Sequence, residues 1–514
     1  MKLNNKIVIA LATALPILGC SKLDESLRSS LTEDQAQAVL RQTTDVNVLL
    51  QSVYNGLRSF QGQEGVFALN QNTSDETLVP TRGGDWDDNG VWRVLSDHSW
   101  NADHRDVLGS FNNLLGIVFN STNVLTFSPS PSQAAEARFV RAFAMFTVLD
   151  LYGQVPYREQ GENLLNAPKV LKGTEALDFI ISEVNAIRAD LPDGPAYKAN
   201  KDAARVLLMK MYLNRGAFIN RAQPTFAPAD MNEVIKLADE IISSNKYKLA
   251  ENVFDNYAPN NDAISTENIF TNQNIGGVQG GGLNSRFNMG AHYNQFPGGW
   301  NGFSTLADVY NKFEAVDQRR GGAYPGMTEV GGMTIGFQVG QQFDKNGVAL
   351  KDRKGNPLAF TPQVALVESG NDLEVKGIRV QRYVIDYKNG NGQGQADNDY
   401  IFYRYADVLL MKAEAILQGG TPTAVAPVTP LEIVNSVRTK RKATPLTTLN
   451  LDVLLDERQR EFYWDGWRRQ DQIRFGKYLA PTALRPQSDP RNLYFPIPNA
   501  ALAVNPNLTQ NEGY

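Results

Sequence analysis

Hydrophobic residues recur at helical spacing along most of the first half of the chain. Val46, Leu50, Val53 and Leu57 stand at i, i+4, i+7 and i+11, which places them on one face of a helix. This periodicity extends over residues 32–248, with proline and glycine at the joints. The predicted helices are Arg105–Thr126, Ser132–Tyr152, Gly173–Leu191, Asp202–Arg215 and Asp230–Ser244. Successive helices with short connections predict antiparallel hairpins stacked into a scaffold.

An internal repeat supports this interpretation. The segment Ala204–Lys210 returns as Ala406–Lys412, 202 residues later (406 − 204). Small alanines beside bulky leucines are typical of close helix packing within repeat units. We therefore predict tetratricopeptide-like hairpins in a mainly α fold, although a long insertion interrupts their regular period.

The insertion, residues 249–398, has a different pattern. It is rich in Gly, Asn and aromatic residues, and short β-type runs such as Lys376–Tyr387 predict small hairpins inside long loops. Loops of this length are usually functional or disordered, and the many aromatic residues favour function. Helices are predicted again in residues 399–514, at Asp399–Leu417, Pro430–Lys440 and Leu451–Tyr478, before a proline-containing extended tail.

The N-terminus has the pattern of an export signal. A short basic start precedes the apolar run Ile7–Leu18, which is too short to span a bilayer. The run ends at Gly19-Cys20, which resembles the lipobox of bacterial lipoproteins. We predict a signal peptide over residues 1–19, lipidation of Cys20 and a polar tether over residues 20–31, with an ordinary secretory signal as the alternative. Two or three acyl chains hold a protein firmly on a membrane.

Composition narrows the class of protein. The chain is 42% hydrophobic and 20% charged, enough for a large core, and Cys20 is its only cysteine, so no intramolecular disulfide forms. A net charge of −5 argues against a nucleic-acid partner, which requires a basic face.

Motifs for catalysis or metal binding are few. The three histidines fit no metal or nucleophile motif, whereas a pair of glycosidase carboxylates has no fixed spacing and stays open. One segment resembles the opening of a calcium loop, with Asp85, Asp87 and Asn89 as ligands and Gly90 at the turn. Ser96 stands where a bidentate glutamate is needed, so a solvated acidic loop is the alternative.

Tryptophans in polar loops are the stronger candidates for a binding site. Trp86 lies between glycines and acidic residues, where it is not expected to reach a core. Trp300 lies in a Gly-Gly-Trp-Asn-Gly segment, within a second cluster of aromatic residues. Flat aromatic faces stack on the C–H faces of sugars. We predict Trp86, Tyr293 and Trp300 as stacking residues and Asp85 and Asn301 as hydroxyl partners. The alternative is that these rings are core under long loops.

The C-terminal part carries a family resemblance. Glu457–Phe462, Asp465–Asp471 and Arg474–Gly476 resemble the signature helix of the RagB/SusD family, and so do the tail and two further helices. Pairing of Glu457 with Arg460, and of Asp465 with Arg468 or Arg469, would follow from helical spacing. The further matching segments are Ala137–Phe143, Leu151–Gly153, Arg404–Ala415, Pro496–Pro498 and Asn505–Asn511.

The resemblance implies a function. Members of this family are outer-membrane lipoproteins of Bacteroidetes that bind glycans, or sometimes peptides, at the cell surface. Each acts as a lid over a SusC-like TonB-dependent transporter and carries out no chemistry. For this chain we expect no cofactor, apart from the calcium candidate above. We therefore expect a non-enzymatic glycan-binding lipoprotein that delivers oligosaccharide to a transporter. The alternatives are a surface glycoside hydrolase on a helical scaffold and a peptide- or protein-binding lipoprotein.

Overall fold

The structure, a computed structural model, describes residues 44–514, of which residues 45–514 form one compact unit. The predicted signal peptide, Cys20, the tether and the first residues of the helical part lie outside the described residues. Within residues 44–514, no helix combines the length and the apolar character that crossing a bilayer requires.

Helices dominate residues 46–243, as predicted. The helices are α1 (Val46–Gly56), α2 (Gly65–Gln71), α3 (Arg93–Ser96), α4 (Arg105–Val124), α5 (Pro131–Tyr152), α6 (Gly173–Ile187), α7 (Lys201–Ile219) and α8 (Pro228–Ser243). The five predicted helices correspond to α4–α8, and each end lies within four residues of its prediction. The helical periodicity was therefore sufficient to locate them.

The central helix is α5, which is buried along most of its length. It begins at a capping box, in which the Ser130 side chain accepts from the Gln133 amide and the Gln133 side chain accepts in return. It ends at Gly153, whose φ of 70° suits a residue without Cβ. A Cβ there would lie 3.2 Å from the ring of Tyr494, so the glycine also admits the C-terminal tail.

Short strands and helical turns fill the region of residues 249–398. The short helices are α9 (Asn261–Ile264), α10 (Leu283–Asn288), α11 (Ala307–Asn311) and α12 (Thr328–Gly331). The strands of the described chain are β1 (Thr81–Arg82), β2 (Gln154–Tyr157), β3 (Lys169–Lys172), β4 (Asn268–Asn272), β5 (Gly321–Gly322), β6 (Ile335–Gln338), β7 (Gly340–Gln341), β8 (Ala359–Phe360), β9 (Val367–Glu368), β10 (Arg379–Gln381) and β11 (Tyr400–Arg404). The predicted strand Lys376–Tyr387 is thus reduced to β10, which pairs with β6.

The C-terminal helices required two corrections. They are α13 (Tyr405–Leu417), α14 (Pro430–Lys440), α15 (Leu451–Phe462), α16 (Arg468–Arg474) and α17 (Asn499–Val504). The first turns of the helix predicted at Asp399–Leu417 are instead strand β11, because β4 pairs with it from a distant part of the chain. The helix predicted at Leu451–Tyr478 breaks after α15, since Trp464 and Gly466 adopt φ angles of 62° and 81°.

The long helices stack in chain order. Each of α4–α7 packs against the next helix, and α8 packs against α13, which in turn contacts α14 and α15. The two copies of the internal repeat lie on α7 and α13, which also contact each other. Lys210 of one copy forms a buried ion pair with Asp407 of the other, with 2.7 Å between Nζ and Oδ2. The mainly α fold with helical hairpins and small sheets is therefore confirmed.

Buried ion pairs connect α15 to the rest of the protein. Glu461 contacts Arg319, Arg404 and Arg441, which come from a 3-10 helix, from β11 and from the end of α14. All four side chains are at most 2% exposed. The carboxylate therefore holds three separate segments together without contact with water.

The ion pairs predicted from helical spacing around α15 are found only in part. Glu457 pairs with Arg460 at 3.0 Å, as predicted. Asp465 instead pairs with Arg382, whereas Arg468 pairs with Asp75 and Arg469 with Asp150. The predicted pairs of Asp465 were wrong because the chain leaves the helix after Phe462, so helical spacing no longer applies.

Removal of the Glu461 charge is expected to destabilise the protein. Burial alone would raise the pKa of Glu461, but Arg441, Arg404 and Arg319 outweigh it and hold the pKa well below its usual range. Glu461→Gln should lower the free energy of unfolding by about 3–5 kcal/mol at pH 7, because buried guanidinium groups lose their partner. The measurement is urea unfolding followed by circular dichroism.

The pH dependence gives the sign of this effect. A carboxyl group whose pKa is lower in the folded protein contributes stability above its unfolded pKa and loses it as the pH falls. The difference between wild type and Glu461→Gln should therefore shrink below pH of about 4.5. Glu233→Gln, which removes an exposed i,i+3 pair with Lys236, is the control and should leave the midpoint unchanged. An equal effect of both variants would contradict the role of the buried pairs.

Candidate functional site

Two loops that are far apart in the sequence meet at the predicted site. The first follows β1, which pairs in parallel with β9 and leads directly into residues 83–90. The second contains Tyr293 and Trp300 and precedes Phe303 of the core. We call Asp85, Trp86, Tyr293, Trp300 and Arg353 the aromatic platform, because direct contacts connect them.

Trp86 connects the two loops. Its Nε1 donates a hydrogen bond to the backbone oxygen of Trp300 at 2.8 Å. Its ring lies 5.7 Å, between centroids, from those of Trp92 and Phe303, which belong to the core. Gly302 contacts the ring so closely that a Cβ there would lie 2.3 Å from Cζ2 of Trp86. Trp86 is therefore half-buried, with part of its ring committed to the protein interior.

Trp300 is the more exposed of the two tryptophans. Its backbone nitrogen donates to Asn288 at 2.7 Å, and its backbone oxygen accepts from Trp86. The residue is nevertheless 38% exposed to solvent. A large aromatic side chain on a fixed backbone, facing water, is typical of a ligand-binding surface.

Polar contacts surround Tyr293. Its hydroxyl donates to Asp85 Oδ2 at 2.9 Å, and the guanidinium carbon of Arg353 lies 4.0 Å from its ring centroid. Burial, and then the bond to Asp85 and the charge of that carboxylate, raise the pKa of Tyr293 to about 12. Tyr293 therefore stays a hydroxyl donor at neutral pH.

Arg353 lies between two carboxylates. Its Nη2 donates to Asp85 Oδ2 at 2.8 Å and its Nε to Glu374 Oε1 at 2.6 Å. His292 Nε2 lies 2.9 Å from the second oxygen of Glu374. These contacts fix the guanidinium over the Tyr293 ring while the Arg353 side chain stays 48% exposed. The platform thus combines aromatic faces with charged donors and acceptors at its edge.

Asn301 has a different position from the one predicted. It is buried, its Oδ1 accepts from Arg379 Nη2 at 2.7 Å, and its Nδ2 donates to the backbone oxygen of Glu374 at 3.0 Å. Its backbone oxygen accepts from buried Arg82 at 2.7 Å. Both polar atoms of the side-chain amide form hydrogen bonds inside the protein. Asn301 therefore stabilises the loop under the platform and is not available to a ligand hydroxyl.

Arg353 and Glu374 were not predicted from the sequence as part of this site. Arg353 follows Asp352, whose Oδ1 accepts from the amides of Lys354 and Asn356 and so closes a turn. The Asp-Arg-Lys-Gly-Asn sequence signals that turn. Nothing in the turn signals that it lies beside residues 85 and 293, because that contact depends on the tertiary fold.

The calcium candidate lies in the same loop. Asp85 pairs with Arg353, Asp87 pairs with Arg93 at 2.6 Å, and Asp88 accepts from Trp92 Nε1 at 2.7 Å. Throughout residues 44–514, no three His, Cys, Asp or Glu side chains are arranged to hold a metal ion. A calcium ion at Asp85, Asp87 and Asn89 would have to displace two arginines, so this site stays a prediction.

A methyl group on Gly302 should disturb the platform selectively. Gly302→Ala places Cβ against the Trp86 ring, which must turn away from Phe303 and lose its bond to Trp300. We expect a red shift of tryptophan emission with only a small change in the unfolding midpoint. Gly84→Ala, in the same loop, is the control because its Cβ would contact nothing within 4 Å. Identical spectra for the two variants would contradict the packing described here.

Comparisons with known proteins agree with this architecture. The family model described as the SusD family matches residues 266–488. The starch-binding protein SusD of Bacteroides thetaiotaomicron is 27% identical over 513 aligned residues, which cover 88% of this chain and 87% of that protein.

Solved structures share the fold. Surface glycan-binding protein A from Bacteroides uniformis has a TM-score of 0.69 at 18% identity, over 91% of this chain and 98% of that one. The same-named protein from Bacteroides thetaiotaomicron, in complex with laminarihexaose, has a TM-score of 0.68 at 15% identity with the same coverage. The family model and the relative agree: residues 266–488 match the SusD family, and the chain is similar to the starch-binding protein SusD along most of its length.

Proposed function

We propose that this protein is a non-catalytic glycan-binding protein whose binding surface is the aromatic platform. The observation that carries the proposal is Trp300, which is 38% exposed while its backbone is fixed on both sides. The similarity of the chain to a protein named for starch binding, and to one solved with laminarihexaose, supports a saccharide ligand.

The chemistry of the platform suits a sugar chain. The indole of Trp300 offers an apolar face to the C–H face of a pyranose ring. Asp85, next to Trp86 in the chain, accepts hydrogen bonds and Arg353 donates them, and both side chains are about half exposed. Since Tyr293, Asp85 and Glu374 already orient Arg353, little side-chain entropy is lost when a hydroxyl binds.

The proposed cellular role rests on the similarity to the SusD family and on the N-terminal sequence. We propose that Cys20 is lipidated, that the protein faces outward from the outer membrane, and that it passes oligosaccharide to a SusC-like TonB-dependent transporter. Capture beside a transporter raises the effective concentration of the saccharide at the pore.

Hydrolysis is less well supported than binding. The carboxylates at the edge of the platform, Asp85 and Glu374, both bind the guanidinium of Arg353. Burial would raise the pKa of Glu374, but hydrogen bonds from Arg353 and His292 lower it, so this carboxyl group does not keep the proton that a glycosidase acid donates.

Two other carboxyl groups have a pKa suited to an acid catalyst but no access to substrate. Burial raises the pKa of Glu76 and of Asp399 to about 7. Each residue is only 1% exposed and is held by interior partners. The geometry of the described residues therefore favours binding without cleavage.

Loss of the Trp300 ring should weaken glycan binding. Isothermal titration calorimetry of a panel that includes starch and laminarin oligosaccharides should identify a ligand, and Trp300→Ala should raise its Kd at least tenfold, about 1.4 kcal/mol. The physical reason is the loss of the stacking face, because the backbone contacts of Trp300 do not involve its ring.

The matched control is Phe119→Ala, which removes an aromatic ring that is 48% exposed on α4. It should leave the Kd unchanged. The site assignment fails if the two variants bind equally well. New reducing ends after incubation with the polysaccharide would instead support the hydrolase.

A further inference from the structure

The loop between β2 and β3 exposes two neighbouring leucines. Leu164 is 63% exposed and Leu165 is 93% exposed, in a protein whose other leucines supply much of the core. The residues on either side, Asn163 and Asn166, are polar and exposed. The apolar surface is therefore a small protruding tip.

Hydrogen bonds hold this tip in its exposed position. The guanidinium of Arg158 donates to the backbone oxygens of Asn163 and Leu164 at 3.1 and 3.2 Å, and also to that of Asn166. The Leu165 amide donates to Asn163 Oδ1 at 2.9 Å. One arginine thus fixes three carbonyl groups of a loop that keeps two leucines in water. Transfer of these two side chains from water into an apolar environment would therefore be favourable.

The tip lies at the end of the protein where the described chain begins. Gln160, at the base of the loop, donates to the backbone oxygen of Leu125, in the turn between α4 and α5. The first residues of α1 lie at that same turn, because Gln133 at the start of α5 donates to Asn47 at 3.0 Å. Cys20 precedes Thr44 by 24 residues (44 − 20), which span at most roughly 80 Å.

We propose that Leu164 and Leu165 insert into the surface of the bilayer to which Cys20 is attached. This inference rests on the lipid anchor of the proposed function, which would keep this end of the protein near the membrane. The tip then forms a second contact that orients the body relative to the membrane. An apolar tip embedded at the boundary between headgroups and acyl chains adds affinity in proportion to its buried area.

The size and composition of the tip favour lipid over a protein partner. A stable protein interface buries about 800 Å² on each side and is centred on aromatic or arginine side chains. Residues 161–168 contain neither an aromatic residue nor an arginine. Two aliphatic side chains on a protrusion are too few for such an interface. They are sufficient to reach the boundary between the headgroups and the acyl chains of a bilayer.

The test is vesicle binding without the anchor. The chain that begins at residue 20 and carries Cys20→Ser keeps the whole compact unit of residues 45–514. Co-sedimentation with phosphatidylcholine vesicles should detect binding, and the double variant Leu164→Ser/Leu165→Ser should reduce the partition coefficient at least tenfold. Both side chains are exposed, so the circular dichroism spectrum and the unfolding midpoint should stay unchanged.

Val278→Ser is the matched control. Val278 is 75% exposed and lies by the other end of α1, where Gln279 donates to Asn55 at 3.3 Å. Vesicle binding that is absent from wild type, or equally reduced in the control, would overturn the proposal. The proposal would also be overturned if the double leucine variant bound vesicles like wild type but no longer bound an outer-membrane protein. Glycan titration of the same samples tests the aromatic platform separately, because the leucine variant should keep the wild-type Kd.

Discussion

The buried carboxylate of Glu461 is the contact on which the arrangement of the whole protein depends. It binds arginines from a 3-10 helix, from β11 and from the end of α14, and each of these groups is shielded from water. Burial of a charge costs several kcal/mol unless it is paired. Each segment therefore has one favourable position relative to α15, and the region of residues 249–398 is fixed to the helical scaffold. Glu267, beside β4, extends this network by pairing with Arg404 and Arg441.

A second set of buried cations supports the aromatic platform. Arg82 and Arg379 donate mainly to the backbone oxygens of residues 301, 302, 374, 376 and 377, and Arg379 also donates to the side-chain oxygen of Asn301. They share Ser304 Oγ as an acceptor, at 2.9 Å from each. Desolvation lowers the pKa of Arg82 to about 10, so it stays charged at neutral pH. The loop that carries Trp300 therefore packs against buried arginines that have fixed partners. These contacts limit the motion of the loop.

The extent of successful sequence-based prediction follows from the range of the interactions involved. The helices α4–α8 and α14 were located well, because their periodicity, capping residues and flanking prolines and glycines are local signals. Strand β11 was missed because its partner β4 lies in another part of the chain. Trp86 and Trp300 could be singled out, since glycine and polar neighbours leave a tryptophan without local packing. Burial of Asn301 and the position of Arg353 depend on tertiary contacts, and no local pattern records them.

Under the proposed function, saccharide binds on the aromatic platform without being cleaved. The most direct measurement is a crystal structure of the protein soaked with the oligosaccharide that binds it best in solution. We expect an intact ligand with a sugar ring against the indole of Trp300 and hydroxyl groups within hydrogen-bond distance of Asp85 and Arg353. A ligand bound at another surface, or a cleaved product at this one, would contradict it.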